Sequence, residues 1–373
     1  MAYVLLFHNL GGLTPPQYSA SELSSQQQSN SLKTILHNPV DAPYKALVWI
    51  GLKLGHHSIL VTRVAAALYA VVAGIAFYWI VALWYSKRVA VMGTLLFVCS
   101  SGFLHFGRYG TGLILQMAVL VLIASVLLYQ RTRHETLATY FLTIVLFSCL
   151  YIPGMIWLEI VGVLLLRSNL IHAVRKLSTP HVWLVITCGI TLTLPLVWSI
   201  IHDVSILRTL LGLPASLSPP DELLKEFLHF GSSIVYRGYW PSEFWLHAAP
   251  LLTIAEIILF IAGLAVLFAR PMLRMNYFVL ASLLICTFLI PLRGSAAIAM
   301  VVPLIYVTIA GGLFYILDQW LTVFPRNPIA KFSGVTLVSF IVFVSVFYHL
   351  RAYFIAWPHA PETKAVYIHK QPT

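Results

Sequence analysis

The chain has 373 residues, of which 60% are hydrophobic and 9% charged, with a mean hydropathy of +0.87, whereas a soluble domain carries roughly 25% charged residues. This excludes a soluble globule and sets the class as an all-α, polytopic integral membrane helical bundle. The net charge of +11 comes from Lys and Arg spread along the chain, which excludes a nucleic-acid partner and makes these residues topology signals.

In chain order, MAYVLLF is apolar but too short to span, while the parity of the later spans needs a helix entering before residue 9. A truncated first helix is the expectation, with a short interfacial segment as the alternative. Residues 9–57 form a long outer loop with two structured stretches. SASELSSQQQS at 19–29 opens with serine caps before a polar helix-forming run, and DAPYKALVWIGLKL at 41–54 places Asp and Pro ahead of an amphipathic pattern. Apolar runs follow near 59–84, 89–105, 112–130, 136–151, 154–166, 181–202, 248–269, 275–292, 295–317 and 332–350. Each reads as a crossing of a ~30 Å hydrocarbon layer, about 10–11 transmembrane helices in all. The runs 136–151 and 154–166 are short, and YIPG at 151–154 either bends one helix or separates two. Parity requires two.

With that parity, Lys87-Arg88, Arg131, Arg133, Arg167, Arg175, Lys176, Arg270, Arg274, Arg326 and Lys331 share one side, the cytoplasm by the positive-inside rule. The domain reading is a transmembrane domain over 1–350, with outer loops 9–57 and 203–247, and a short extracytoplasmic tail at 351–373. Within the second loop, 214–247 begins as Pro-rich coil, continues as a short amphipathic helix and ends in an interfacial cluster of Tyr236, Tyr239, Trp240, Phe244 and Trp245. The four cysteines fall in apolar runs, so neither a disulfide frame nor a metal cluster is expected. No CxxC, HExxH, Walker loop or GxSxG is present.

Charged residues that are not cytoplasmic anchors carry the chemistry, because each costs a few kcal/mol at bilayer depth unless paired or wet. On the outer side these are Glu22, Asp41, Arg63, Arg108, Arg237 and Arg293. A guanidinium forks onto phosphate oxygens, so arginines gathered at one leaflet imply an anionic lipid headgroup; singly, each also serves as an interfacial anchor. Glu159 and Glu256 lie within spans, either as proton relays or as hydrogen-bonded structural acids, and Asp318 closes a span on the cytoplasmic side. His37, His56, His57, His229 and His247 lie on the outer side at spacings that fit no common metal motif. No metal ligands or cofactors are assigned, and a divalent ion held by outer-loop acids stays open.

The run SILVTRVAAALYAVVAGIAFYWIVALWYSKRVAVMGTLLFVCSSGFLHFGRYGTGLILQMAVLVL resembles the core of the GT-C glycosyltransferases of the protein O-mannosyltransferase and lipid A aminoarabinose transferase type. In that family an arginine opens a span, a basic pair closes it and the next hairpin carries an S-R-x-x-x-D-like signature. Here Arg63, Lys87-Arg88 and Arg108-Tyr109-Gly110-Thr111 fill those places. LYIPGMIW at 150–157 is similar to the family's later turn, and LRGSAAIAMVVPLIYV, with Arg293 and Pro303, to its R-Y-x-x-P-x-x-P span.

The resemblance covers roughly residues 10–320 and implies a GT-C-like fold in a multi-pass cell-membrane protein, in a bacterium the plasma (inner) membrane. It implies transfer of a sugar from a polyprenyl-phosphate donor to a protein, lipid or glycan acceptor at the extracytoplasmic face, with membrane lipids as further partners. It implies a first-loop acid as base, Glu22 first and Asp41 second, and donor phosphate or lipid contacts from Arg63, Arg108, Tyr109, Arg237 and Arg293. In FGRYGTG at 106–112 the glycines are expected to let two helices turn tightly, with Arg108 at the mouth of the cavity and Tyr109 covering the donor. Two departures stand out: Ser21-Glu22 replaces an Asp-Glu pair, and Thr111 and Gly112 stand where the hairpin's Asp belongs. A catalytically inactive GT-C-like protein is therefore one alternative. A transporter or flippase of a lipid-linked substrate, using Glu159 and Glu256, is another, although no internal repeat is visible.

Overall fold

The computed structural model describes residues 2–10, 17–55, 58–132, 135–214, 216, 218–270 and 273–368. The first loop region folds as α1 (Ala2–Phe7), α2 (Ala20–Gln28), α3 (Leu32–His37) and α4 (Ala42–Lys53). Serine starts two of them: Ser19 and Ser31 accept the backbone N–H of Glu22 and Thr34, donors that a helix start leaves without partners.

The long helix α5 (Ile59–Trp84) buries a row of alanines, Ala65, Ala66, Ala70 and Ala73 among them, which lets neighbouring helices approach closely. The span read over 89–105 is broken: α6 (Lys87–Cys99) and α7 (Ser101–Arg108) meet at 58°. Ser100 between them accepts from Phe103 N–H and so caps a new helix. A 3-10 stretch at Gly112–Met117 leads into α8 (Ala118–Arg131), followed by α9 (Glu135–Cys149), α10 (Met155–Lys176) and α11 (Thr179–His202). Helices α9 and α10 are separate, as parity requires, and Gly154 turns the chain between them at φ +77°. The second loop holds α12 (Val204–Leu211) and α13 (Pro220–Val235). Then come α14 (Ile254–Ala269), α15 (Arg274–Arg293), α16 (Ile298–Val323), α17 (Pro328–Arg351), a π turn, α18 (Trp357–His359) and α19 (Pro361–Val366).

Among the described residues six helices are long and apolar enough to cross a membrane, or seven if α6–α7 counts as one broken span. Each apolar run read from the sequence contains an α-helix, but the run over 89–105 is split in two and the run over 248–269 becomes helical only at Ile254. The centre of the bundle is α16, 83% of whose apolar window is buried, against 17% for the lipid-facing α11. Glycine makes that centre tight: a Cβ on Gly312 would meet the Leu259 carbonyl oxygen at 1.9 Å, so α14 and α16 pack backbone to backbone.

Basic residues stand at helix ends, Lys87 opening α6, Arg131 closing α8, Lys176 closing α10 and Arg274 opening α15. The loops gather on one face. Asp41 N–H donates to the Tyr151 carbonyl at 2.9 Å and Gly154 N–H to that of Leu210 at 2.7 Å. Residues 352–368 do not trail away from this face: Trp357 Nε1 donates to the Ser242 carbonyl at 3.1 Å and the Tyr367 hydroxyl to that of Glu243 at 2.6 Å.

Candidate functional site

The hairpin FGRYGTG is where both first-loop acids meet the bundle. Gly110 N–H donates to Glu22 Oε1 at 2.9 Å, and a Cβ on Gly110 would lie 2.6 Å from Thr62 Oγ1. A Cβ on Gly112 would lie 2.6 Å from Asp41 Cγ. These glycines are required because two carboxyl groups press on bare backbone.

Glu22 is fully buried. Its oxygens accept Arg63 Nε and Nη2, each at 2.9 Å, in a two-pronged ion pair, and Ser19 N–H completes a capping box. Arg63 spends its remaining arm on the Leu10 carbonyl at 3.2 Å and lies over the Tyr367 ring.

Arg108 is also buried and committed. Nε donates to the Tyr353 hydroxyl at 3.1 Å, Nη1 to the carbonyls of Leu5 and Leu6, and Nη2 to those of His8 and Asn9. It caps the carbonyl end of α1, where a cation is favoured. Of the other donor-site candidates, Arg293 donates Nη1 to the Pro153 carbonyl at 2.9 Å, and Arg237 is exposed beyond α13. The Tyr109 hydroxyl is 3.1 Å from Ser19 Oγ.

Asp41 differs from Glu22 in every respect. It stands at the N-cap position of α4 but in the left-handed region, φ 57°, and its side chain makes no capping bond. Asp tolerates that region better than most residues, and the turn points its carboxyl at Gly112 instead of the helix start. Asp41 Oδ1 is shut from solvent without a hydrogen-bond partner. Burial pushes the carboxyl up to about 7, against the pull of Lys45 and then Arg293.

Asp41 lines a cavity of about 760 Å³ on the loop face, walled by α2, α4, α12 and the 109–113 hairpin. The sequence reading missed three charged residues on its walls: Lys45, Asp203 and Glu243. Lys45 is buried and donates to the Asn38 carbonyl at 2.9 Å, and burial lowers its ammonium to about 8 although Asp41 raises it. Glu243 accepts from Ser21 Oγ at 3.0 Å. Tyr109 is the one donor-site candidate on this cavity's walls, while Arg63 and Arg108 line a much smaller pocket alongside it.

The two intramembrane acids lie apart from this cavity. Glu256 is enclosed by His349 Nε2 at 2.9 Å, the Tyr306 hydroxyl at 3.1 Å and its own capping-box partner Thr253. Glu159 faces a lateral apolar cavity of about 370 Å³ that also touches Gln130 and Arg274. Among the described residues no group of three or more His, Cys, Asp or Glu could hold a metal ion. His56 and His57 lie outside the described residues.

Apolar helices with basic residues at their ends and a polar cavity opening among the loops define a multi-pass membrane protein of GT-C-like fold. The crystal structure of ArnT from Cupriavidus metallidurans in the apo state shares this fold, with a TM-score of 0.58 and 12% identity, over 98% of this chain and 75% of that one. No protein-family model matches the chain. No curated protein matches it in sequence.

Proposed function

We propose that the protein is a membrane glycosyltransferase, moving a sugar from a polyprenyl-phosphate carrier to an acceptor in the loop-face cavity. That face is extracytoplasmic, because the opposite helix ends carry the basic residues. The observation that carries the reading is Asp41: a left-handed backbone, a carboxyl with one unmet oxygen and a position on the wall of the polar cavity of about 760 Å³. A left-handed turn that forgoes the helix cap and turns the carboxyl toward a cavity supports a working role for Asp41.

In this reading Asp41 takes the proton of an acceptor hydroxyl. The acceptor oxygen then bonds to the sugar's anomeric carbon while the bond from that carbon to the phosphate oxygen breaks. The electron pair leaves on the lipid phosphate, which Lys45 meets with its positive charge. A base titrating near the working pH suits this step. Glu22 and Arg63 hold the hairpin against the bundle, and Arg108 fixes α1 beside it.

The test uses purified protein in liposomes with radiolabelled sugar on polyprenyl phosphate, comparing wild type with Asp41→Asn. Transfer by wild type, reduced about 100-fold or more in the variant at equal thermal stability, is the expected result. Undiminished transfer by the variant would remove Asp41 as the base. No transfer by wild type from any sugar tried would move the reading to a transporter or an inactive GT-C-like protein.

A further inference from the structure

Helix α2 presents a face that the proposed transfer step does not use. Ser21, Ser24, Ser25 and Gln28 recur at the spacing that puts side chains on one side of a helix, and all four line the cavity. The other side of α2 buries Glu22 and Gln26. A helix lying on a membrane fills its inward stripe with apolar groups and flanks it with Lys or Arg. In α2 the stripe is hydroxyl and amide, and the helix, ASELSSQQQ, has no basic residue. Ser205 and Thr209, one turn apart on α12, stand on the same cavity's wall. Tyr44 and Tyr109 add rings, their hydroxyls being already engaged by the Thr62 carbonyl and Ser19.

Charge narrows what such walls recognise. Asp41, Asp203 and Glu243 line the cavity against one lysine, Lys45, and one histidine, His37. An acceptor bearing phosphates would bring anions among carboxylates, and the one ammonium present is already opposite the donor phosphate. A neutral polyhydroxylated molecule meets no such repulsion. Its hydroxyls donate and accept to match serine, threonine and glutamine, and its C–H faces lie on aromatic rings.

We propose that the acceptor is an uncharged glycan, seated along the serine–glutamine face of α2 with its attacking hydroxyl at Asp41. The inference rests on the glycosyltransferase reading for the word acceptor, but binding can be measured without donor.

The experiment titrates full-length protein, in a detergent with no sugar headgroup, with maltotetraose, chitotetraose and mannotetraose, and with a phosphorylated form of each, by calorimetry. The expected result is binding of at least one neutral tetrasaccharide, about tenfold tighter than its phosphorylated form. The double variant Ser24→Leu/Gln28→Leu, which spares the buried Glu22 and Gln26, should weaken that binding about tenfold at unchanged melting temperature. Tighter binding of the phosphorylated form, silence of all three neutral sugars, binding of a Ser/Thr-rich peptide in their place, or unchanged affinity in the double variant would each overturn the proposal. Glycan binding without transfer would instead fault the enzymatic reading alone, so the two failures are distinguishable.

Discussion

Glu22 and Asp41 touch the same hairpin, at Gly110 and Gly112, and end in opposite states. Around Glu22 every oxygen has a partner, the charge is balanced by Arg63 and nothing reaches it from the cavity. Around Asp41 one oxygen has no partner, the nearest cations hold other carbonyls and the cavity is adjacent. On the proposed reading this difference separates the roles: the finished ion pair holds the hairpin, and the unfinished carboxyl beside the cavity acts on the acceptor.

Removing the finished pair should cost most. Glu22→Gln leaves the Arg63 guanidinium buried without its counter-charge, an expected loss of about 3–5 kcal/mol, seen as a collapse of membrane abundance or melting temperature. A well-folded variant that only lost turnover would erase the distinction between the two acids.

Next comes Gly112→Ala, whose added methyl would sit on the Asp41 carboxyl. We expect about 1–3 kcal/mol of destabilisation and a transfer loss close to that of Asp41→Asn, measured in the liposome assay. Unchanged transfer would show that Asp41 need not keep its place.

The pH profile sharpens the comparison further. Asp41 sits at about 7 and Lys45 at about 8, so transfer should rise as pH climbs through the first and fall beyond the second, the limbs belonging to the pair jointly. For stability the sign runs the other way. Between 3.8 and about 7 the folded chain keeps a proton on Asp41 that the unfolded chain has released, so stability declines as pH rises through that window. Asp41→Asn, which cannot ionise, should flatten this part of the decline when melts at about pH 5 and about pH 8 are compared. A decline as steep as wild type would place the titrating group elsewhere.

The smallest effect belongs to Arg237→Ala. Exposed beyond α13, the residue should change folding stability by no more than about 0.5 kcal/mol and leave transfer close to that of wild type. A large loss in donor binding would bring it back among the phosphate contacts.

Much of the fold was legible, because apolar runs and their punctuation are local signals. YIPG separates α9 from α10 and the serines start α2 and α3. The bend at Ser100 carried its own sign, a Ser-Ser-Gly run inside an apolar stretch, which the reading passed over. The site was legible only in part. Two of the acids singled out, Glu22 and Glu256, end the patterns Ser19-Ala20-Ser21-Glu22 and Thr253-Ile254-Ala255-Glu256, and both form capping boxes. That four-residue pattern signalled the two capping boxes in advance. Lys45 was hidden inside an amphipathic run, and Glu243 and Asp203 reach the cavity only through tertiary packing. Nor could sequence say which carbonyls the arginines hold, since Arg108 bridges residues 5–9 and Tyr353 across most of the chain.

That bridge bears on biosynthesis. One guanidinium in the first third of the chain gathers groups made before it and a hydroxyl made late, so this wall of the site has high contact order and closes only after α17 has been threaded and the turn beyond it laid down. A nascent chain stalled before residue 353 would hold Arg108 with its Nε donor lacking the Tyr353 hydroxyl and with the rings of both Tyr353 and Phe354 missing. Assembly of the site thus reports that nearly the whole polypeptide has been inserted.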